Sequence, residues 1–284
     1  MFNPETAIIT GGVRGIGLAI SRQLVQQGIK VLICSRTQND INQALEILNS
    51  NSRKMAFGIL ADVSVHGDCQ KLIRRAKKLF KNRVDVLVNN AGIYGPIGLL
   101  EENDFQLWAK TIEINLLGMV YCCQQIIPLM KRQGQGKIIN LCGAGAGGSK
   151  SLPRFSAYYT SKVAVAGFTE VLADELKDYN VQVNCIAPGA INTGMTDYLI
   201  AQGSKKAGVV MHEKAVAQKQ SGGDSLQLVT QLVSFLISAQ ADHLSGRLLS
   251  AKWDNLNALS QAIHSQNLFK LRRIGDKIFY ESKS

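Results

Sequence analysis

Metal-site and disulfide signatures are missing from this 284-residue chain. Its six cysteines, Cys34, Cys69, Cys122, Cys123, Cys142 and Cys185, form no CxxC pair and fall mostly inside apolar segments. That is the setting of buried free thiols acting as small hydrophobes. The four histidines are isolated and none belongs to an HExxH, which argues against a structural or catalytic metal. Aromatic residues are scarce at 6% against 46% hydrophobic residues overall, so the expected core is aliphatic. No Pro/Ser-rich linker and no internal repeat divides the chain. The first residues, "MFNPETAIITGG", lack a basic start followed by an apolar stretch. The most apolar helical region, "INLLGMVYCCQQIIPLM", is broken by Gln124 and Gln125 and falls short of a bilayer span. A soluble cytoplasmic protein with no membrane partner is the expectation.

Acidic residues are the minority charge, leaving a net +11. Basic residues gather at 71–83, 204–219 and near the C-terminus, without the aromatic interleaving or the recognition motif of a nucleic-acid binder. The run at 71–83 reads as the solvated face of a helix, and no nucleic-acid partner is expected. An anionic cofactor or substrate would exploit the same field.

What is present is an alternation. Short β-branched runs at 6–10, 30–35, 54–62, 84–90, 136–142, 181–188 and 246–251 are separated by helix-length segments. Continuous apolar strands separated by helices predict a parallel sheet covered on both faces. The expected fold is therefore a single α/β domain, a Rossmann-type doubly wound sheet of about seven strands over residues 1–251. Residues 190–222 are the least regular stretch and a candidate lid, and 252–284 form a C-terminal extension.

"TGGVRGIG" (10–17) follows the first strand and opens the first helix. Glycines there let the backbone turn sharply and approach a pyrophosphate at the positive end of the helix. The spacing is G-x-x-x-G-x-G, and Gly11, Arg14, Gly15, Ile16 and Gly17 are the candidate cradle. A dinucleotide site needs an acid for a ribose hydroxyl, or an arginine for a 2′-phosphate, at the end of the second strand. This chain has Ser35 and Arg36 there and no acid, with Arg14 able to face the same phosphate. Two guanidiniums favour NADP(H) over NAD(H).

After the fifth strand comes "LCGAGAGGS" (141–149), whose glycine spacing fits a P-loop except that Ser149 stands where the lysine must be. Next, in "AYYTSK", Tyr158 and Lys162 lie four residues apart and share one helical face. An adjacent ammonium is expected to lower the phenol from its ordinary value near 10, fitting Tyr158 for proton exchange at a carbon undergoing hydride transfer.

In order, "TGGVRGIG", "ADV" (61–63), "NNAG" (89–92), Asn115 in "IEINLLG", Tyr158-x-x-x-Lys162 and "PGAINT" (188–193) resemble the short-chain dehydrogenase/reductase family across residues 6–251. The resemblance implies that Gly11, Gly15 and Gly17 hold a pyrophosphate, and that Asp62 and Val63 flank the adenine. Asn89, Ala91 and Gly92 would line the cofactor channel, and Pro188, Gly189, Ile191 and Thr193 would border the nicotinamide. Lys162 would bond the nicotinamide ribose, Asn115 would position a relay water, and Tyr158 would be the general acid or base. The family's serine at the end of the fifth strand is missing. Cys142 stands there instead, with Ser149 and Ser151 as alternatives. "SAKWDN" also replaces a common Gly-Gly turn. The implied activity is carbonyl–alcohol interconversion with NADP(H) on a small organic molecule, by a homodimer or homotetramer. The competing reading is an NADP-binding scaffold or redox sensor with little catalysis.

Overall fold

The structure is a computed structural model that describes residues 2–50, 54–143, 145–146 and 151–260. Seven parallel strands form one sheet in the order β3-β2-β1-β4-β5-β6-β7. They are β1 (Thr6–Thr10), β2 (Lys30–Ser35), β3 (Ala56–Leu60), β4 (Val86–Asn89), β5 (Gly136–Leu141), β6 (Val181–Ala187) and β7 (Leu248–Ser250). β1, β4 and β5 are buried along their whole length, as sheet strands covered on both faces must be.

On one face pack α1 (Gly15–Gln26), α2 (Gln38–Leu48) and α10 (Leu226–Leu236). α2 shows how a short amphipathic sequence commits to this position: Ile41, Ala44 and Leu48 recur at helical spacing and are its buried residues. On the other face lie α3 (His66–Leu79), α5 (Gly118–Gln133) and α6 (Ser156–Leu176). α3 buries Cys69, Leu72, Ile73 and Ala76 and leaves Lys71, Arg74, Arg75 and Lys78 exposed, so the basic run is a solvated face as read from the sequence.

The helical run Phe105–Gln133 is long and apolar enough to cross a membrane by length and composition. Its apolar residues Ile114, Met119, Cys122, Cys123, Ile126 and Met130 are instead core of the sheet's second face. The run has three parts, α4 (Phe105–Ile112), a π-helical turn (Glu113–Leu117) and α5.

One expectation is corrected. Residues 190–222 are largely regular: α7 (Gly194–Ala201), α8 (Gly203–Ala207) and α9 (Val209–Ser221) fill the stretch. Gly203 (φ +72°) and Gly208 (φ +82°) divide it, α8 is a single short turn, and α9 buries only Ala215, so no helical period stands out in the sequence. These helices pack Leu199, Ala207 and Ala215 into a small third cluster with Ile97, Phe155 and Tyr158. After β7 the chain closes a turn in which the Ser250 N–H donates to the Asp254 carboxylate at 2.7 Å. α11 (Leu256–Ser260) follows, and the remainder of the C-terminal extension lies outside the described residues.

Candidate active site

β1 and β4 are neighbours in the sheet but their connections leave in opposite directions, which makes their C-terminal ends the switch point where α/β sheets bind ligands. A seam of hydrogen bonds crosses that point. Thr10 Oγ1 accepts from the N–H groups of Asn90 (3.0 Å) and Ala91 (3.1 Å). Asn90 Nδ2 donates to the carbonyls of Thr10 (2.9 Å) and Gly11 (3.0 Å). The glycine turn is thereby fastened to the end of β4. Gly11 (φ +61°) and Gly15 (φ +52°) hold left-handed backbone that other residues resist. A Cβ on Gly17 would collide with the Gly11 carbonyl, so helix α1 can approach the turn only with glycine there.

Above this floor opens a cleft of about 760 Å³. Of the residues named from the sequence, Gly11, Arg14, Gly15, Ile16, Ser35, Arg36, Asp62, Val63, Ala91, Gly92, Tyr158, Lys162, Pro188 and Thr193 line it. Gly17, Asn89, Asn115, Gly189 and Ile191 do not line it. Asn89 turns away: its Nδ2 donates to Asn140 Oδ1 at 2.9 Å and approaches Cys123 Sγ at 3.4 Å. Successive strand residues face opposite sides, so the cleft position falls to Asn90. Gly189 lies against the Asp224 carboxylate, which accepts from the Ala190 N–H at 2.7 Å and pairs with Lys252 at 2.8 Å. The lysine of "SAKWDN" thus helps fix this loop. Ile191 is buried and bridges to Gly223.

Asn115, on the π-helical turn, is a clamp. Its Oδ1 accepts from the Ile93 N–H (2.8 Å), and its Nδ2 donates to the Ile93 carbonyl (2.9 Å) and to Ser161 Oγ (3.0 Å). π turns are frequent at functional sites, and here one aims a side chain across to the end of β4.

Tyr158 and Lys162 share the buried face of α6, Tyr158 being 9% exposed. Lys162 Nζ donates to the Leu141 carbonyl at 2.7 Å and lies 5.7 Å from the centre of the Tyr158 ring. The expected lowering of Tyr158 by this ammonium is not what the geometry produces. Burial pushes the phenol up, with Tyr94 and Cys142 adding to the rise. Burial also pulls the Lys162 ammonium down. At this depth loss of water outweighs a cation that is already engaged elsewhere. Tyr158 is therefore protonated at neutral pH.

Asp62 is pushed up by burial, but the hydroxyl and N–H of Ser64, then the charges of Arg36 and Lys110, bring it below its ordinary value. The Ser64 hydroxyl donates to it at 2.7 Å.

Cys142 is on the cleft wall, yet its thiol is committed inward. Sγ donates to the Lys162 carbonyl at 3.1 Å. Its thiol is lowered, first by the bond with Cys185 and, against burial, by the charge of Lys162 and the Gly143 N–H. Ser151 is exposed and does not line the cleft, and Ser149 lies outside the described residues. Because the thiol already has its acceptor, Cys142→Ser is expected to change kcat by less than about threefold, a serine taking over the same carbonyl. A steady-state comparison of the two proteins checks this, and a large gain would put the side chain beside the reacting oxygen instead.

Asn90, Tyr94 and Leu107, which sequence reasoning did not name, also line the cleft, as do Asn192, Met195, Asp197, Tyr198 and Lys219 from the stretch 190–222 read as a candidate lid. Asn90 carried a signal of its own, through strand alternation after Asn89.

A parallel sheet whose switch point opens into a glycine-floored cleft with a Tyr/Lys pair on its wall defines a dinucleotide-dependent oxidoreductase fold. Residues 5–203 match the model of the short chain dehydrogenase family, and the chain belongs to the short-chain dehydrogenase/reductase family. Human dehydrogenase/reductase SDR family member 4 is 31% identical over 242 residues, covering 85% of this chain and 84% of that protein. The short-chain reductase protein NovJ of Streptomyces niveus is 34% identical over 242 residues, covering 85% and 90%. Among solved structures, a variant of actinorhodin polyketide ketoreductase with NADPH superposes with TM-score 0.78 at 29% identity, covering 88% of this chain and 97% of that one. NAD⁺-bound xylitol dehydrogenase, at 23% identity, shares the fold with TM-score 0.78 over 88% and 98%. The family binds a nicotinamide cofactor, and these two structures hold one NADPH and one NAD⁺.

Proposed function

We propose that this protein is an NADP(H)-dependent reductase of ketones, with Tyr158 as the proton donor. The observation that carries the reading is a buried phenol kept protonated on the wall of a cleft whose other end bears Arg14 and Arg36. The residues present fit the cofactor. Gly11, Gly15 and Gly92 line the cleft at positions where a Cβ would press on neighbouring residues, on Asn115 Oδ1 in the case of Gly92, so the backbone is bare toward a bound dinucleotide. No side chain caps the start of α1 and no acid occupies its first turn, so its N–H groups are available to an anion.

A bound nicotinamide supplies the hydride. The chain's residues do the rest. The α1 end and the glycine turn hold the pyrophosphate, and Arg14, Ser35 and Arg36 take the 2′-phosphate. Asp62 and Val63 border the adenine. Lys162 holds the ribose side, and Tyr158 gives its proton to the substrate oxygen. Ile93, Leu107 and Met195 supply an apolar wall, beside the exposed Asp197–Lys219 pair at 2.7 Å, and suit a ketone with an apolar flank.

The cofactor preference is testable by thermal denaturation. At a hundredfold excess over Kd a ligand stabilises by about 2.7 kcal/mol, several degrees in a domain of this size. NADPH is expected to raise Tm more than NADH at equal concentration, and Arg36→Ala to remove most of the difference, about tenfold in Kd for one exposed charge-assisted bond. Equal shifts from the two cofactors would overturn the preference.

A further inference from the structure

A second phenol stands beside the first. Tyr94 follows the Ala91–Gly92 turn after β4 and lines the cleft. Its ring meets the Tyr158 ring edge-on, centroids 4.7 Å apart, and meets Phe155 in the same manner at 5.5 Å. Both chain neighbours of Tyr94 are tied down. Asn115 bonds the N–H and the carbonyl of Ile93, and the Tyr198 hydroxyl donates to the Gly95 carbonyl at 3.1 Å. Gly95 itself has φ +70°, and any Cβ there would collide with Thr111 Oγ1. Thr111 is fully buried and donates to the Leu107 carbonyl at 2.8 Å, so it has no room to give way. The segment 93–95 is rigid on both sides of the tyrosine.

The Tyr94 hydroxyl, by contrast, makes no hydrogen bond among the described residues, although burial raises its pKa and keeps it protonated. Three other donors near Tyr158 among the described residues are engaged. The Cys142 thiol serves the Lys162 carbonyl, the Lys162 ammonium serves Leu141, and the Ser161 hydroxyl serves the Tyr158 carbonyl at 2.7 Å. A hydroxyl on a held segment, carried by a ring packed edge-on against the proton donor's ring in the same cleft and without an acceptor among the described residues, is suited to donate to a developing oxyanion.

We infer that Tyr94 is a catalytic residue whose hydroxyl donates a second hydrogen bond to the substrate's carbonyl oxygen, beside Tyr158. The inference rests on the reductase reading above. In reduction the carbonyl carbon gains the hydride of a reduced nicotinamide and the oxygen takes the Tyr158 proton. Tyr94 keeps its own proton throughout, and its bond tightens as negative charge builds on the oxygen. Tyr94 would then fill this task without the Cys142 thiol.

The test compares wild type, Tyr94→Phe and Tyr158→Phe with NADPH on a panel of alkyl, aryl and cyclic ketones. Tyr94→Phe keeps the ring packing, so its NADPH-induced Tm shift should equal that of wild type. Its kcat should fall about 10²-fold, the loss that follows removal of one oxyanion donor, with KM within threefold. The ketone reduced fastest by wild type, carrying an isotopic label on its carbonyl, then serves as an infrared probe. Its carbonyl stretch should lie lower when bound to Tyr158→Phe than when bound to the protein lacking both hydroxyls. Normal kcat in Tyr94→Phe with an unmoved stretch overturns the inference and leaves the reductase reading standing. A wild-type protein inert on the whole panel overturns both.

Discussion

Replacing Tyr158 with Phe should lower kcat for ketone reduction by about 10²–10⁴-fold, the range spanned by loss of a positioned general acid. The ring would remain in its cluster with Ile97, Phe155 and Leu199, so folding and NADPH binding should hardly change. Only the proton is removed. The pH profile of the unaltered protein should report the same group. Burial raises Tyr158 above its ordinary value, and reduction uses the protonated form. The rate of ketone reduction is therefore expected to stay level through neutral pH and to fall only beyond the ordinary phenol range, near about 10. A profile that declined through pH 7–8 would mean that another group supplies the proton. A Tyr158→Phe protein within tenfold of wild type would remove Tyr158 from the chemistry.

The second large effect is on stability, and it lies at the opposite end of the sheet from the cleft. Asp85 precedes β4, and its side chain is fully buried. Its carboxylate accepts from the N–H groups of Glu5 (2.8 Å) and Thr6 (3.0 Å), from Thr6 Oγ1 (3.0 Å) and from Arg83 Nε (2.9 Å). This carboxylate helps join β1 and β4, the two strands that frame the switch point, at their starts. Asp85→Ala would leave the Thr6 N–H without its acceptor and Arg83 without its inner partner. A cost of about 2–3 kcal/mol is expected, from the buried N–H left unsatisfied and the hydrogen bonds to a charged group that are lost. At roughly 2–4 °C per kcal/mol for a domain of this size, Tm should drop by about 4–12 °C. Asp85→Asn, which keeps one oxygen as an acceptor, should lose about half as much. Calorimetric unfolding decides it, and a drop below about 3 °C for Asp85→Ala would show that water or a rearranged Arg83 satisfies those donors.

The strands were legible in the sequence because burial on both sheet faces demands unbroken apolar runs. The Tyr158/Lys162 pair was legible because helical geometry turns a spacing of four residues into a shared face. Helices α7 to α9 were not. Their apolar residues are few and are divided by Gly203 and Gly208, so no period accumulates. Asn89 and Asn90 look alike in sequence, and only the side of β4 each one faces separates a sheet-internal bond from a cleft residue. Tyr94 had no pattern at all. A lone aromatic in a loop acquires meaning only when Tyr158, Asn115 and Gly95 are seen around it. The pKa of Tyr158 was misjudged for a related reason: spacing shows that a lysine is near, but not that Leu141 already holds its ammonium.

The π-helical turn at Glu113–Leu117 makes chain length, as well as residue identity, a determinant of this site. A π turn carries one residue more than α-helical winding requires. Each residue of an α-helix advances the side-chain direction by about 100°. Deleting Leu116 would let the π turn wind as regular α-helix, with no functional side chain removed. Asn115 would nevertheless rotate away from Ile93, and with it would go the anchor on one side of Tyr94. The site can thus be dismantled by a change that makes the helix more regular.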